Sequence, residues 1–122
     1  MDDVKKAIVT RELTSLYGEQ AVAIKALPDG KVLFKIVDVP LPLGCTPENT
    51  DVLLVYENGV DMPQVLVRQG IHLKSGESPR STNPMSVDGE PWMSFSANFP
   101  FDLTKPVTHF VIGKLGRFAQ PS

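Results

Sequence analysis

The sequence holds one Cys and one Trp among its 122 residues, and its two His lie far apart in the chain. A single thiol forms no internal disulfide and no thiolate metal cluster, which excludes a stapled secreted scaffold. Basic excess is missing too: 12 Lys and Arg face 14 Asp and Glu, for a net charge of −2. Without it there is little counterion release from a phosphate backbone, so a nucleic-acid partner is not expected. No uninterrupted apolar run is long enough for a bilayer, and MDDVKKAIVTREL lacks the apolar core of a signal peptide. The expectation is therefore no membrane partner and a reducing, cytoplasmic setting. No phosphate-cradling glycine pattern occurs, and the His, Cys and carboxylates do not fall at ligand spacing. No cofactor and no metal site are expected.

Proline, by contrast, is plentiful: there are 11, placed where they punctuate short elements. At 42% hydrophobic and 21% charged residues, the composition suits one domain spanning 1–122. Asp2 or Asp3 caps a predicted helix running to Tyr17, with Gly18 to end it. Val9, Leu13, Leu16 and Tyr17 form its apolar stripe. Strand patterns follow at 21–27 and 31–39, joined by the turn Pro28-Asp29-Gly30. Pro40 and Pro42 close the second strand, and further strands are expected at 51–56 and 65–68. From Gly70 to Pro91 periodicity disappears, which reads as one long polar loop. A last helix begins near Thr104, with Val107, Phe110, Val111, Leu115 and Phe118 on its apolar face. Gly113 inside that stripe marks either close packing or a weak spot. The expected architecture is α+β: an N-terminal helix, a four-stranded antiparallel meander, a long flap and a C-terminal helix on the sheet.

That order of elements resembles ubiquitin-conjugating enzymes and the related RWD domains. Residues 51–68, DVLLVYENGVDMPQVLVR, look like that fold's third strand, its Pro-containing loop and its fourth strand. Gln69-Gly70-Ile71-His72-Leu73 falls near the family's His-Pro-Asn, and Trp92 with Phe99-Pro100-Phe101 is similar to its Trp-Ser-Pro segment. The approach Pro40-Leu41-Pro42-Leu43-Gly44 looks most like the divergent prokaryotic family E of conjugating-enzyme-like proteins. The resemblance implies a component of a bacterial ubiquitin-like conjugation pathway, with a ubiquitin-like modifier or its activating enzyme as partner. In conjugating enzymes the thioester Cys lies in the flap, yet residues 74–88 contain none. Any thioester must therefore use Cys45, with His72 as its assisting residue; these are the catalytic candidates. Without that chemistry, the same scaffold implies a non-catalytic, RWD-like adaptor. Met62, Pro63, Met85 and Trp92 are then the candidate partner-binding residues, because Met and Trp are common at binding surfaces. An unrelated small α+β ligand binder or assembly subunit is the third reading, since element order alone does not fix function.

Overall fold

The computed structural model describes residues 1–119. Helix α1 covers Asp3–Tyr17. The Asp2 carboxylate caps it by accepting from the Lys5 amide at 2.8 Å. Gly18, at φ +93°, ends it and donates its amide to the Thr14 carbonyl. Six strands follow: β1 (Val22–Ala26), β2 (Val32–Pro40), β3 (Asn49–Tyr56), β4 (Gln64–Val67), β5 (Thr82–Val87) and β6 (Glu90–Phe95). They form one antiparallel sheet in the order β1-β2-β3-β4-β6-β5. Helix α2 (Val107–Leu115) closes the fold and runs into a 3-10 turn, Gly116–Ala119.

The α+β reading and the N- and C-terminal helices are as expected, but the sheet has six strands rather than four. The correction lies in 70–91. The polar, Pro-interrupted segment Thr82-Asn83-Pro84-Met85-Ser86-Val87 pairs with β6 as a hairpin across Asp88-Gly89. Both turn residues have positive φ, +51° and +80°, and the two-residue Asp-Gly turn that bends a hairpin this way suits the twist of its strands. Pro84 is tolerated because β5 is an edge strand, where a missing amide breaks no ladder on its open side.

Strand alternation sorts side chains to two faces. On the helix side, Phe34, Ile36, Val52, Leu54 and Val67 pack with Val9 and Leu13 of α1 and with Phe110, Val111 and Leu115 of α2. The expected α2 stripe is buried throughout, Phe118 included. The α1 stripe is shorter than expected: Val9 and Leu13 are buried, Tyr17 is half-buried, and Leu16 is 52% exposed. The opposite face carries a second apolar layer of Leu33, Leu53, Val55, Leu66 and Trp92.

That second face is covered by the sheet itself. Strand β6 pairs with β4 only at Leu66↔Ser94 and Val67↔Met93. Beyond these pairs the β5–β6 hairpin leaves the plane and folds over β1–β3. Its tip meets the far edge of the sheet, where Asp88 pairs with Lys25 of β1 at 2.5 Å. No helix of the described residues is long and apolar enough to cross a membrane.

Candidate functional site

Pro40 and Pro42 end β2, and the chain then loops through Gly44, Cys45 and Thr46 before β3. This loop is tied to the segment after β4 by a pair of backbone hydrogen bonds. The Thr46 amide donates to the His72 carbonyl at 2.9 Å and the His72 amide donates to the Thr46 carbonyl at 2.8 Å. The fold therefore brings both catalytic candidates to one place, with His72 opposite the residue that follows Cys45. Flanking side chains anchor the bridge, since Ile71 and Leu73 are buried while His72 between them is exposed.

Cys45 points the other way. It is 4% exposed and belongs to the helix-side core. Its thiol Sγ donates to the Phe118 carbonyl at 3.4 Å, which closes the loop onto the 3-10 turn. Burial pushes the thiol pKa up, so the protonated form is favoured, whereas a nucleophile needs the thiolate. The local geometry supplies a structural thiol in an apolar niche. Among the described residues no group of three or more His, Cys, Asp or Glu side chains is placed to hold a metal ion.

The four partner-binding candidates are not assembled into one exposed patch. Met62 is 53% exposed on the β3–β4 loop, but Pro63 beside it is buried. Met85 is half-buried against the second apolar layer. Trp92 is 1% exposed at the centre of that layer. It is covered by Arg68, whose guanidinium carbon lies 3.9 Å from the ring centroid.

Arg68 is the hub that sequence reading missed. Its Nε donates to Asp51 at 3.1 Å, one terminal nitrogen to Glu90 at 2.9 Å and the other to the Pro91 carbonyl at 3.1 Å. Lys35 reaches the same Glu90 carboxylate at 3.1 Å. Desolvation opposes the charge of Arg68, but the hydrogen bonds to Glu90 and Asp51 outweigh it and raise its pKa. The hydrogen bonds from Arg68 and Lys35 in turn hold the Glu90 carboxyl below the usual carboxylate range. These are the contacts that fasten the hairpin over the second face.

A second feature that sequence reading missed is a groove between the C-terminal end of α1, the end of β2 and α2. It encloses about 630 Å³ and is lined by Leu16, Tyr17, Val39, Leu41, Ile112 and Leu115, with Asp38, Pro40, Pro42 and Gly116. A bulge between Ile36 and Val39 builds its β2 wall, with Asp38 at φ +55°. The signal available in the sequence was Leu16 and Ile112, apolar residues at the margins of both helix stripes. Comparison of the chain with family models, with curated proteins and with solved structures found no match.

Proposed function

We propose that this protein is a non-catalytic binding module on a conjugating-enzyme-like α+β scaffold. Its partner in this reading is a ubiquitin-like modifier or the activating enzyme of that modifier, in a bacterial conjugation pathway. The observation that carries the non-catalytic part is the state of Cys45: 4% exposed, raised in pKa by burial and donating to Phe118. A thiol in that state neither meets a large acyl donor nor ionises readily. The binding part is supported by apolar side chains left on the surface. Leu43 is 95% exposed, Ile112 56% and Leu16 52%, on the β2–β3 loop and the two helices around the groove.

One observation favours a second reading, a divergent thioester-forming enzyme. The backbone bridge between Thr46 and His72 places an exposed His72 opposite the residue that follows Cys45 in the chain. The two readings separate in one experiment, in which a ubiquitin-like modifier charged on its activating enzyme is mixed with the protein. The binding module retains modifier or activating enzyme through size-exclusion chromatography, forms no thiol-sensitive adduct and behaves the same as Cys45→Ser. An adduct lost in Cys45→Ser replaces that reading with the enzymatic one, and no retention of either protein removes the pathway assignment.

A further inference from the structure

Strand β1 ends the sheet, with β2 on one side and no strand of the described residues on the other. The hairpin to β2 fixes which of its backbone groups face outward. Just past the strand, the Leu27 amide donates to the Lys31 carbonyl at 2.8 Å, so these two form a hydrogen-bonded pair of the ladder. Antiparallel ladders alternate such pairs with pairs whose amides and carbonyls point away from each other. In the register Lys25↔Leu33 and Ala23↔Lys35, Lys25 and Ala23 therefore bond β2. The amides and carbonyls of Val22, Ile24 and Ala26 point to the open side. Ala23, Ile24, Lys25 and Ala26 are all exposed, so no described residue covers this edge.

The opposite edge is blunted by its sequence. The Asp88-Gly89 turn makes Val87↔Glu90 a bonded pair, and the Ser96 amide, donating to the Ser81 carbonyl at 3.1 Å, keeps the same alternation to the far end. Thr82, Pro84 and Ser86 thus hold the outward positions of β5, and the central one has no amide to give. Strand β1 carries neither a Pro nor a bulge. Its one charge, Lys25, lies on the second face opposite Leu33 and is already paired with Asp88 at 2.5 Å.

The outward positions of β1 are also symmetric about Ile24. A two-fold axis there sets Ile24 opposite Ile24 of a second copy and Val22 opposite that copy's Ala26. Each outward amide then meets an outward carbonyl, with no group left over. Ile24 pairs with Phe34 of the helix-side core, so its side chain, 38% exposed, meets its own counterpart in an apolar row. Lys25 falls opposite Ala23 of the second copy, so like charges do not face each other.

We propose that β1 is a self-association edge, at which two copies of this chain pair β1 with β1, antiparallel about Ile24, into one continuous sheet. The occupant is a second copy because the edge complements itself in backbone groups, apolar row and charge. The inference goes beyond the binding-module reading and does not depend on it.

The test combines sedimentation velocity with amide hydrogen exchange followed residue by residue by NMR, both on the whole protein. The expected result is a monomer at about 10 μM and a growing dimer fraction toward about 1 mM. Over the same range the amides of Val22, Ile24 and Ala26 slow at least about tenfold, while Ala23 and Lys25, bonded to β2 throughout, change least. Ile24→Lys and Ile24→Glu each weaken the dimer at least about tenfold, because like charges then meet at the axis. An equimolar mixture of the two variants restores it as a heterodimer. Circular dichroism checks that both variants fold, and the exchange pattern of the parent protein needs no variant. A monomer at about 1 mM, a dimer that Ile24→Lys leaves intact, or a mixture that stays monomeric overturns the proposal. Protection of the outward amides in the monomer, or only on addition of a ubiquitin-like modifier, assigns the edge to another segment and overturns it as well.

Discussion

Arg68 shows how much one side chain does in this fold. It sits over the Trp92 ring, donates to two carboxylates and a carbonyl, and shields the indole from water. Arg68→Ala removes the stacking and leaves Asp51 and part of the Trp92 face newly exposed. The expected loss is about 2 kcal/mol in urea unfolding, with a red-shifted tryptophan emission. Arg68→Lys recovers only part, because an ammonium has no planar fork to reach both carboxylates. An equal stability of parent and Arg68→Ala contradicts this role. Cys45 gives the second expectation at this scale: buried and bonded to Phe118, it reacts with a thiol reagent at neutral pH far more slowly in native protein than in denaturant. Rapid native labelling contradicts that. The residue types at both positions are visible in the sequence, but their partners are not. Arg68 meets Asp51 and Glu90 across 17 and 22 positions, and the thiol meets Phe118 across 73.

At the scale of elements, α2 depends on neighbours for both its start and its middle. Pro106 occupies its N-cap position and supplies no side-chain cap. The carboxylate of Glu12, on α1, accepts from the Val107 amide at 3.0 Å instead. A negative group there also faces the positive end of the helix dipole. Glu12→Ala is expected to cost about 1 kcal/mol, read as a lower urea midpoint with an unchanged slope. Gly113 carries the middle of the helix. A Cβ built there comes within 2.4 Å of three Phe99 ring carbons, so the glycine is where Phe99 lies against the helix backbone. Helix propensity alone says Gly113→Ala stabilises by roughly 1 kcal/mol. The contact reverses the sign, because overpacking costs about 1–3 kcal/mol. A lower melting temperature for Gly113→Ala, relieved when Phe99 is also made Ala, is the expected result. The sequence flagged Gly113 but left open whether it marked packing or weakness. The hairpin β5–β6 teaches the reverse: Asp88-Gly89 is a strong hairpin signal on its own. It was masked by Pro84 and Pro91 in the flanking strands and by the polar sequence of β5, which pairs at an edge.

Across the whole molecule, one sheet has both faces covered, by helices on one side and by its own terminal hairpin on the other. Ion pairs fasten that hairpin, so its docking depends on pH. The Glu90 carboxyl is held below its usual range when folded. A depressed folded pKa contributes stability above the unfolded value, near 4.3, and that contribution fades as pH falls through the folded value. Acidification from about pH 5 toward pH 2 is therefore expected to loosen the hairpin, followed by Trp92 emission and by amide exchange in β5 and β6. Glu90→Gln should flatten that part of the profile while weakening docking at neutral pH. A Trp92 profile identical in parent and variant contradicts the coupling.

What the sequence determined by itself is the local part of this protein. Helix α1 with an Asp cap at position 2 or 3 and a Gly18 stop, strands β1 to β4, the turn at Pro28-Asp29-Gly30 and the buried stripe of α2 all follow from spacing and turn chemistry within a few residues. Only the tertiary structure decided the rest. It turned Cys45 inward and Leu16 outward, gave Trp92 an Arg68 cover and paired a polar segment, as β5, with the apolar strand β6. It also formed the groove from pieces of α1, β2 and α2. The physical reason is common to all of these. Periodicity specifies which residues seek burial, whereas ion pairs, covers and grooves arise between segments distant in sequence. Such pairings exist only once the chain has chosen which faces to bring together.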